Sequence, residues 1–496
     1  MGILGEGIKF WLMILTVLVG AFPILSWCLT RLHGWLHESK LGEKRFLLPP
    51  GDMGLPLIGN MWSFLSAFKS KDPDSFINGF VKRFGRIGIY KAFMFGNPTI
   101  MITTPELCKQ VLMDDENFGP GWPQSTVELI GKKSFIGISY EEHKRLRKLT
   151  AAHVNGHEAL SVYLHYIEET IVSALEKWSN MEEFEFFTEV RKMTFRIIMY
   201  IFLSEEGDSL MEALEREYTT LDYGVQAMSI NIPGFAYYKA LKARKNLVAI
   251  FQSVVNERRL RRSKSDNPTK KDMMDNLMEI TDYNGRMLND EEIIDTLVMY
   301  MNAGHESSSH VSMWAAVLLQ QHPDVFQKAK AEQEAIVKNM PHGQKGLTLK
   351  EFRQMEYLSK VIDETLRLIN ISLVVYREAK KDVKMNGYLI PKGWKVEVWF
   401  RSVHLDSEIY GDPKKFDPSR WDGATPKAGT FIPFGAGSRL CPGNDLAKLE
   451  ISVFLHYFLL NYRLERTNPE CPLNFLPHTR PTDNCLARIR KHSPSA

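Results

Sequence analysis

Cysteine is scarce in this sequence, with five residues in a chain of 496. No two of them have the C-x-x-C spacing of a zinc ribbon, and so few cysteines over this length exclude a disulfide-stapled scaffold. The pattern predicts a reducing compartment, although a single cysteine can still be a catalytic group or a metal ligand. The five are Cys28, Cys108, Cys441, Cys471 and Cys485.

An excess of charge of either sign is also missing. There are 62 Lys and Arg against 59 Asp and Glu, a net charge of +3. This balance argues against a protein built to neutralise phosphates, so we expect no nucleic-acid partner. Hydrophobic residues at 44% and charged residues at 24% exclude a wholly disordered chain. The length predicts two or three domains or one unusually large one.

Charged residues are absent altogether from residues 10–30, FWLMILTVLVGAFPILSWCLT. A helix of this length matches the ~30 Å hydrocarbon core of a bilayer, and Trp11 and Trp27 lie where aromatic belts form. A signal peptide would have a shorter apolar core and a small-residue cleavage site, and Lys9 is the single basic residue before the run. A buried soluble helix would not be apolar on every side. We therefore predict one transmembrane helix, kinked at Pro23.

Two features follow the apolar run. Basic residues place the main body in the cytosol by the positive-inside rule. The segment PPGDMGLPLIGN, residues 49–60, is rich in proline and glycine and favours extended backbone with turns. We interpret it as a plain linker or as a stiff hinge that orients the body on the membrane. The basic residues are Arg31, Lys40, Lys44 and Arg45.

Helical patterns outnumber strand patterns, so the sequence predicts a mainly α protein with small sheets. The predicted helices cover residues 161–177, 188–203, 240–262, 290–321, 323–338, 352–369 and 445–460, and the predicted strands cover residues 88–91, 99–103, 383–390 and 394–399.

The residues around Cys441 read FIPFGAGSRLCPGNDLAKLE, from Phe431 to Glu450. The glycines and the Pro-Gly pair predict a tight turn before a helix, where a thiol faces backbone N–H groups and the positive helix end. Arg439 adds a positive charge. We expect these effects to lower the pKa of the thiol. The thiolate is then a candidate nucleophile, redox thiol or metal ligand.

Five positions of this loop have the spacing Phe434-x-x-Gly437-x-Arg439-x-Cys441-x-Gly443. The pattern resembles the haem-binding loop of the cytochrome P450 monooxygenases. The resemblance implies that Cys441 is the thiolate ligand of a haem b iron, where it favours O–O cleavage. It further implies that Phe434 packs beside the sulfur, that Arg439 meets a haem propionate and that Gly443 completes the cofactor-binding loop. Dioxygen is then a substrate, and electrons come from NADPH through a flavoprotein reductase.

The helical segment DETLR places Glu364 and Arg367 on one helix face. It resembles the E-x-x-R helix of the same family, in which the pair joins an arginine further along the chain. Here that arginine is Arg420, in FDPSRW. The resemblance implies a structural role, in which the three residues brace the haem loop.

The longest helical pattern contains MNAGHESSS, although Gly and Ser inside a helix cost up to ~1 kcal/mol each. By resemblance, Ala303 and Gly304 face the haem, and Glu306 and Ser307 are the catalytic pair that relays protons to dioxygen. Serine stands where the family usually has threonine, so the hydroxyl is kept but the methyl that fixes its rotamer is lost. The alternative is a helix kink in which serine hydroxyls cap carbonyl groups.

The basic helical segment EHKRLRK lies where the family usually has Trp-x-x-x-Arg. His143 replaces the Trp and Arg147 matches the Arg, and both are candidates for a haem propionate. By resemblance, Arg377 and His404 are further candidates. The remaining basic residues form either a docking surface for an acidic reductase or a solvated face, and they are Lys144, Arg145 and Lys148.

These features follow the family's order along essentially the whole chain. The resemblance therefore implies a cytochrome P450 fold, with one large helical haem domain and small sheets at residues 61–496. A membrane anchor with its flanks at residues 1–48 and a proline-rich hinge at residues 49–60 precede that domain. It also implies the endoplasmic reticulum membrane, with the catalytic domain in the cytosol.

Longer stretches, among them REYTTLDYGVQAMSINIPGFAYYKALKARK and LPHTRPTDNCLARI, are similar to the plant ent-kaurenoic acid oxidases. That group oxidises an apolar terpenoid acid in three steps in gibberellin biosynthesis, which the resemblance implies for this chain. Oxidases of triterpenes such as β-amyrin are the alternative within the family. The alternatives from other classes are a reductase-independent haem-thiolate isomerase or dehydratase, against which the Glu306–Ser307 pair argues, and a haem-binding sensor.

A carboxylate substrate needs a hydrogen-bond donor in the pocket. Arg480 is one candidate and Lys132 is a second. The alternative for Arg480 is a hydrogen bond to a backbone carbonyl in a turn. By resemblance, the pocket is lined by residues 118–135, 221–235, 369–376 and 476–484.

Overall fold

A computed structural model describes residues 24–204, 207–225, 227–262, 272–423, 426–476 and 478–492, together with residues 11 and 21. Helices dominate and the strands are short, which confirms the predicted mainly α fold with small sheets. Most of the apolar run at residues 10–30 lies outside the described residues, so the transmembrane helix stays a prediction. Within the described ranges, no helix is both long enough and apolar enough to cross a bilayer.

The elements are numbered in chain order. The helices are α1 (24–38), α2 (Met61–Lys69), α3 (Asp74–Phe84), α4 (Pro105–Met113), α5 (Gln124–Ile130), α6 (Tyr140–Asn155), α7 (His157–Ser179), α8 (Phe186–Leu203), α9 (Asp208–Val225), α10 (Ala236–Arg262), α11 (Met273–Glu279), α12 (Asp290–Gln321), α13 (Pro323–Lys338), α14 (Leu349–Phe352), α15 (Glu356–Ile369), α16 (Phe400–His404) and α17 (Asn444–Asn461). The strands are β1 (Ile89–Met94), β2 (Asn97–Ile102), β3 (Phe118–Pro120), β4 (Phe184–Glu185), β5 (Val374–Ala379), β6 (Val383–Met385), β7 (Tyr388–Ile390), β8 (Lys395–Trp399), β9 (Tyr462–Arg466), β10 (Leu473–Asn474), β11 (Arg480–Pro481) and β12 (Leu486–Lys491). Short 3-10 helices cover Ser39–Leu47, Pro418–Trp421 and Gly437–Arg439.

The described residues fall into two compact units that are not contiguous in sequence. The first contains the residues up to 111 with 116–121 and 374–402, and the second contains 112–115, 122–373 and the residues from 403 onward. This division does not follow the predicted hinge, because strands from late in the chain pair with strands near its beginning.

A five-stranded sheet in the order β1-β2-β8-β5-β3 forms the first unit. β2 and β8 run parallel, and every other neighbouring pair in this sheet is antiparallel. The predicted hairpin at residues 383–390 is present as β6 and β7, with Val383 opposite Ile390. The unit therefore brings two distant parts of the sequence into one sheet.

The proline-rich segment at residues 49–60 is not a free linker. Gly51 forms a β-bridge with Lys91, and a Cβ at Gly51 would lie 2.1 Å from the Lys91 carbonyl oxygen. The Asn60 side chain accepts a hydrogen bond from the Phe93 N–H at 2.9 Å. Glycine allows the two main chains to come this close, so the segment is fixed against β1.

The long helix α12 runs through the second unit and is largely buried. It begins with a capping box, in which Asn289 and Glu292 each accept a hydrogen bond from the other's backbone N–H. Its bounds are those that the sequence predicts, and so are those of α13, which has Pro323 in its first turn. α8, α15 and α17 pack against α12.

Two small sheets complete the second unit. One has the order β4-β12-β9, and the other is the short hairpin of β10 and β11. The Trp314 indole N–H on α12 donates to the Thr479 carbonyl oxygen at 2.7 Å. This bond ties the hairpin to the middle of α12.

The packing of α17 against α12 buries a carboxyl group. Glu450 on α17 is 1% exposed and faces Ser308 on α12. Neither carboxyl oxygen makes a hydrogen bond of normal geometry with the described part of the chain, and the buried Ser312 hydroxyl is likewise unbonded there. Burial penalises the charged form and raises the pKa of Glu450 to about 8. The carboxyl is therefore mostly protonated at neutral pH.

The substitution Glu450→Gln keeps the shape of this side chain and removes its titration. In the unfolded chain the carboxyl loses its proton near its ordinary pKa of 4.5, whereas in the folded chain it keeps the proton up to about pH 8. Stability of the wild type therefore falls as the pH rises through this window. We expect its free energy of unfolding to fall relative to the variant by on the order of 1 kcal/mol per pH unit.

Calorimetry of both proteins between pH 5 and pH 9 measures this difference. Above pH 8 the two stability curves should run parallel. The exposed Glu212→Gln on α9 is the matched control and should show no relative slope. Parallel curves for wild type and E450Q from pH 5 to pH 8 would mean that Glu450 is already ionised in the folded protein.

Candidate active site

The loop that carries Cys441 is shaped by its main chain. The Cys441 N–H donates to the Phe434 carbonyl oxygen at 2.8 Å. Gly435 and Gly437 have positive φ angles of 77° and 72°. A Cβ at Gly437 would lie 2.4 Å from the Leu112 carbonyl oxygen, so this position requires glycine. The turn therefore fixes where the thiol lies.

The electrostatics of Cys441 differ from the expectation. Burial raises the pKa of the Cys441 thiol, and the Gly443 N–H and the Arg147 charge lower it by less. The predicted low pKa of the free thiol is therefore wrong, because loss of solvent outweighs the favourable dipoles and charge. The thiol itself is free and partly buried.

Two glycines of the Cys441 loop have open space where a side chain would begin. A Cβ added to Gly443 would meet nothing within 4 Å, and one added to Gly435 would meet only the Arg439 carbonyl oxygen at 4.0 Å. A flat group lying against the loop would therefore not collide with these two residues.

Two arginines connect the loop to the surrounding chain. Arg147 on α6 donates from Nη1 to the Leu440 carbonyl oxygen at 2.6 Å. Arg439 donates from Nη1 to the Phe135 carbonyl oxygen at 3.1 Å. His143 is buried, with its ring 5.2 Å from the Phe135 ring. Each guanidinium keeps further N–H donors, since it carries five.

Arg145 does not belong to an exposed basic face. Its Nε lies 2.7 Å from Asp282, and its Nη1 lies 3.1 Å from Glu292 and 3.3 Å from Glu142. The three carboxylates neutralise it, and the contact with Glu292 links α6 to the start of α12. The prediction of a basic face is wrong for this residue, whereas the neighbouring Lys144 is exposed.

His404 supports the chain that leads into the loop. Its Nδ1 is hydrogen bonded to the Asn370 side chain at 2.7 Å, and its Nε2 accepts from the Ile432 N–H at 3.0 Å. Both ring nitrogens have protein partners, so the predicted contact of His404 with a propionate is wrong. Arg377, in the first unit, is buried on β5 and donates to the Tyr376 carbonyl oxygen at 3.2 Å.

The structure joins the three residues of the predicted brace. Glu364 and Arg367 are both 0% exposed and form two parallel hydrogen bonds of 2.9 and 2.8 Å. Arg420 donates from Nε to Glu364 at 3.2 Å. Arg367 also donates to the carbonyl oxygens of His404 and Pro413 at 2.9 and 2.7 Å. These partners offset the cost of burying the two charges.

One face of α12 is open at its middle. Ala303 is exposed and Ser307, one turn later, is partly exposed, although most of the helix is buried. The Ser307 hydroxyl donates to the Ala303 carbonyl oxygen at 2.7 Å. A Cβ at Gly304 would lie 3.0 Å from Ile198 on α8. This glycine lets α8 and α12 pack closely, and its place beside the haem stays a prediction.

Glu306 lies among charged and titratable groups. Its Oε2 is 2.8 Å from the Arg191 Nε on α8 and 3.7 Å from the His305 Nε2, and its Oε1 is 3.6 Å from the His310 Nδ1. Burial opposes its ionisation, whereas the charge of the bonded Arg191 favours it, and the pKa of Glu306 lies well below its usual range. The group is therefore a carboxylate at neutral pH.

Sequence reasoning missed two partners of Glu306. His310 lies four residues after Glu306, so the helical pattern places it on the same face. Arg191 is on α8 and far away in sequence, and no local pattern indicates its contact with α12.

The two candidates for a substrate carboxylate lie in different places. Arg480 is partly buried and lines a small cavity together with Glu306. Lys132 is exposed and lines a separate cavity of about 310 Å³ beside Arg145 and Glu292. One carboxylate therefore does not meet both.

Residues 49–485 match the Cytochrome P450 family. The chain is 66% identical over 474 residues to ent-kaurenoic acid oxidase 1 of Arabidopsis thaliana, across 95% of this chain and 96% of that protein. It is 53% identical over 484 residues to a 7,8-epoxymelianol synthase of Ailanthus altissima, across 97% of each. The retinoic acid-bound cyanobacterial CYP120A1 has a similar structure, with a TM-score of 0.78 and 28% identity over 90% of this chain and 99% of that one.

The chain therefore belongs to the cytochrome P450 family. It is a monooxygenase that uses a haem iron with a thiolate ligand, dioxygen, and electrons from NADPH delivered by a flavoprotein reductase. The Cys441 loop fits such a group, because a free thiol lies between two glycines that leave open space beside it.

The buried brace of Glu364, Arg367 and Arg420 should contribute strongly to the stability of the protein. Arg367→Ala leaves the Glu364 carboxylate buried without its main partner, so we expect a loss of about 3–5 kcal/mol. Arg367→Lys keeps the charge but loses the paired donors, and the loss should be intermediate. Thermal unfolding and the yield of haem-loaded protein measure both effects.

The matched control is Arg261→Ala, whose partner Glu257 is also a neighbour on one helix but whose side chain is 62% exposed. That substitution should cost less than about 1 kcal/mol. Equal unfolding midpoints for R367A and R261A would show that the buried pair does not support the fold.

Proposed function

We propose that this chain oxidises ent-kaurenoic acid in three steps toward a gibberellin precursor. The observation that carries the proposal is the 66% identity to the Arabidopsis ent-kaurenoic acid oxidase 1 over 95% of the chain. Similarity of this extent is not confined to the haem loop that the family shares. The predicted substrate is an apolar terpenoid acid.

In this proposal Cys441 is the ligand of the haem iron. A thiol must lose its proton to bind a metal, and the Gly443 N–H and the Arg147 charge favour the ionised sulfur. The Phe434 carbonyl oxygen accepts a hydrogen bond from the Cys441 N–H, so Phe434 lies beside Cys441. Arg147 and Arg439 each have N–H donors beyond those used on backbone carbonyls, which supports a role for both in binding the propionates.

Three further residues remain candidates for the cofactor. His143 is buried near the Phe135 ring, and Ala303 reaches the open face of α12. Arg377 is buried on β5, in the first unit. Each is proposed on its resemblance to the family's pattern.

The haem iron supplies the oxygen chemistry when bound. We assign Glu306 and Ser307 to proton delivery. The Ser307 hydroxyl lies on the open face, where its proton is held by the Ala303 carbonyl oxygen. The Glu306 carboxylate is kept ionised beside Arg191, so it holds a delivered proton only briefly before passing it on.

The same proposal includes a membrane anchor. Residues 10–30 carry no charge, and four basic residues follow them before the first proline of the segment at 49–60. This pattern supports one transmembrane helix and a haem domain on the cytosolic side of the endoplasmic reticulum. The haem domain then starts at residue 61.

A triterpenoid oxidase is the second candidate function. The 53% identity to the 7,8-epoxymelianol synthase of Ailanthus altissima over 97% of both chains favours it. The lower identity places it behind oxidation of ent-kaurenoic acid.

Microsomes that contain this chain and a plant reductase test the function. With NADPH, we expect conversion of ent-kaurenoic acid and none of β-amyrin. Cys441→Ala should abolish conversion, together with the carbon monoxide absorption band typical of thiolate ligation. Cys108→Ala, which removes another thiol that is buried in the protein, should retain both.

The other outcomes are equally informative. Conversion of β-amyrin alone would favour the triterpenoid oxidase. Turnover without NADPH would favour an isomerase or dehydratase. An absorption band that persists in C441A would show that Cys441 is not the ligand of the iron.

Arg480→Ala tests recognition of the substrate carboxylate. A charge-assisted hydrogen bond contributes about 1.5–3 kcal/mol, so affinity for the acid should fall on the order of 10- to 100-fold. The affinity of the Arg480→Ala protein for the corresponding neutral alcohol should equal that of the wild type. Lys132→Ala should leave the affinities for the acid and for the alcohol unchanged. Spectral titration measures them, and an equal loss for acid and alcohol would reject the role of the charge.

A further inference from the structure

A small cavity lies beside the Glu306 carboxylate. Its volume of about 10 Å³ is enough for about one water molecule. Tyr223 in its wall is 54% exposed, so the cavity lies close to solvent. The residues that line it come from four elements and are Arg191, Asp222, Tyr223, Glu306, His310, His478 and Arg480.

Backbone carbonyl groups fix the tautomers of two histidines here. The Nδ1 of His310 is 2.8 Å from the Glu306 carbonyl oxygen, and the Nδ1 of His478 is 2.7 Å from the Ile371 carbonyl oxygen. A carbonyl oxygen only accepts, so each Nδ1 carries a proton and each neutral Nε2 carries a lone pair. The His310 Nε2 is buried and has no hydrogen-bond partner among the described residues.

The charges around these rings keep them neutral. Burial, with smaller contributions from His478 and Arg191, lowers the pKa of His310 to about 3. Arg191 faces both rings, and Arg480 faces His478. These positive charges oppose protonation, whereas Glu306 favours it.

His310 therefore has one nitrogen ready to accept a proton and another ready to release one. Its Nδ1 lies 3.6 Å from the Glu306 Oε1, besides the bond to the Glu306 carbonyl oxygen. A proton taken up at Nε2 allows the Nδ1 proton to pass to Oε1, and the ring is neutral again. Exchange with water in the cavity, which takes the Nε2 proton and returns one to Nδ1 when the ring turns, restores the starting tautomer.

We propose that His310 passes protons from this cavity to Glu306, and that His478 is a positioning residue that orients His310. The centroids of the two rings are 4.9 Å apart, and the His478 ring is held by its bond to the Ile371 carbonyl oxygen. The proposal rests on the proposed role of Glu306 in proton delivery.

Arg191 is the competing route to the same carboxylate. It is bonded to Glu306, and its Nη2 lies 3.9 Å from Asp222. A guanidinium keeps its protons at neutral pH, so it stabilises the Glu306 charge but does not release a proton to it. The histidine route does not have this restriction.

The substitution His310→Gln tests the relay. Glutamine can still donate to the Glu306 carbonyl oxygen, but it does not take up a proton at one atom and release one at another. In the full-length enzyme with its reductase and ent-kaurenoic acid, we expect kcat to fall on the order of tenfold with KM unchanged. Hydrogen peroxide formed per NADPH should rise, and the solvent deuterium isotope effect on kcat should increase. His478→Gln should give smaller changes of the same kind.

His456→Gln is the matched control. His456 is also buried and is bonded to Gln333 at 2.9 Å, away from Glu306. Its substitution should lower the unfolding temperature as H310Q does, without changing peroxide formation or the isotope effect. Changes of equal size in H310Q and H456Q would overturn the relay.

Nuclear magnetic resonance of labelled histidines gives a second readout that does not depend on turnover. The spectra are recorded on the reduced enzyme with carbon monoxide bound, which is diamagnetic. The histidine signal that is absent from H310Q belongs to His310. From pH 6 to pH 8 it should have the chemical shifts of a neutral ring that is protonated at Nδ1. A ring protonated at Nε2, or a charged ring at pH 7, would overturn the proposal. If the wild type leaves ent-kaurenoic acid unchanged, the proposed function fails, whereas normal coupling in H310Q rejects the relay alone.

Discussion

The buried ion pair between Glu364 and Arg367 anchors the hydrogen bonds that position the Cys441 thiol. Arg367 donates to the His404 carbonyl oxygen, and the His404 ring accepts from the Ile432 N–H. The Ile432 carbonyl oxygen accepts from Gly435, next to Phe434, whose carbonyl oxygen in turn accepts from the Cys441 N–H. A continuous set of hydrogen bonds thus links two charges inside the protein to the loop. Loss of one partner of a buried ion pair strongly destabilises a protein, so the brace stays intact in the folded state and anchors this series of hydrogen bonds.

The thiol of Cys441 is held rigidly and is shielded from solvent, and this limits its possible chemical roles. A nucleophilic or redox thiol needs a low pKa and access to solvent, whereas burial raises the pKa of this thiol. A bound metal ion removes the proton of a coordinating thiol outright, whatever its pKa in the free protein. The loop is therefore suited to a sulfur whose charge is balanced by a metal, with Arg147 and the Gly443 N–H as secondary support. Of the three roles that the sequence left open for the thiolate, metal ligation is the one that the burial favours.

Local signals were sufficient to predict part of this structure. The bounds of α12 and α13 follow from their helical patterns, with a capping box and a proline at their respective starts, and the contact of Glu364 with Arg367 follows from helical spacing. Contacts across the fold were not predictable in this way. The role of His404 depends on Ile432, which is 28 residues away, and the surroundings of Gly304 depend on Ile198. The interleaved units arise because β2 pairs with β8, and pairing partners so far apart in sequence leave no local pattern.

Three consecutive residues of α12 show how one helical turn separates different environments. Successive side chains on a helix point about 100° apart. Glu306 therefore reaches Arg191, Ser307 lies on the open face, and Ser308 faces Glu450 on α17. The carboxylate and the neighbouring hydroxyl do not share one surface, so adjacency in sequence does not give them a direct contact. In the proposed relay, a proton reaches Glu306 from the side of the helix that carries the histidines, whereas Ser307 lies on the open face. The helix therefore separates the polar cavity from the open face that carries Ser307.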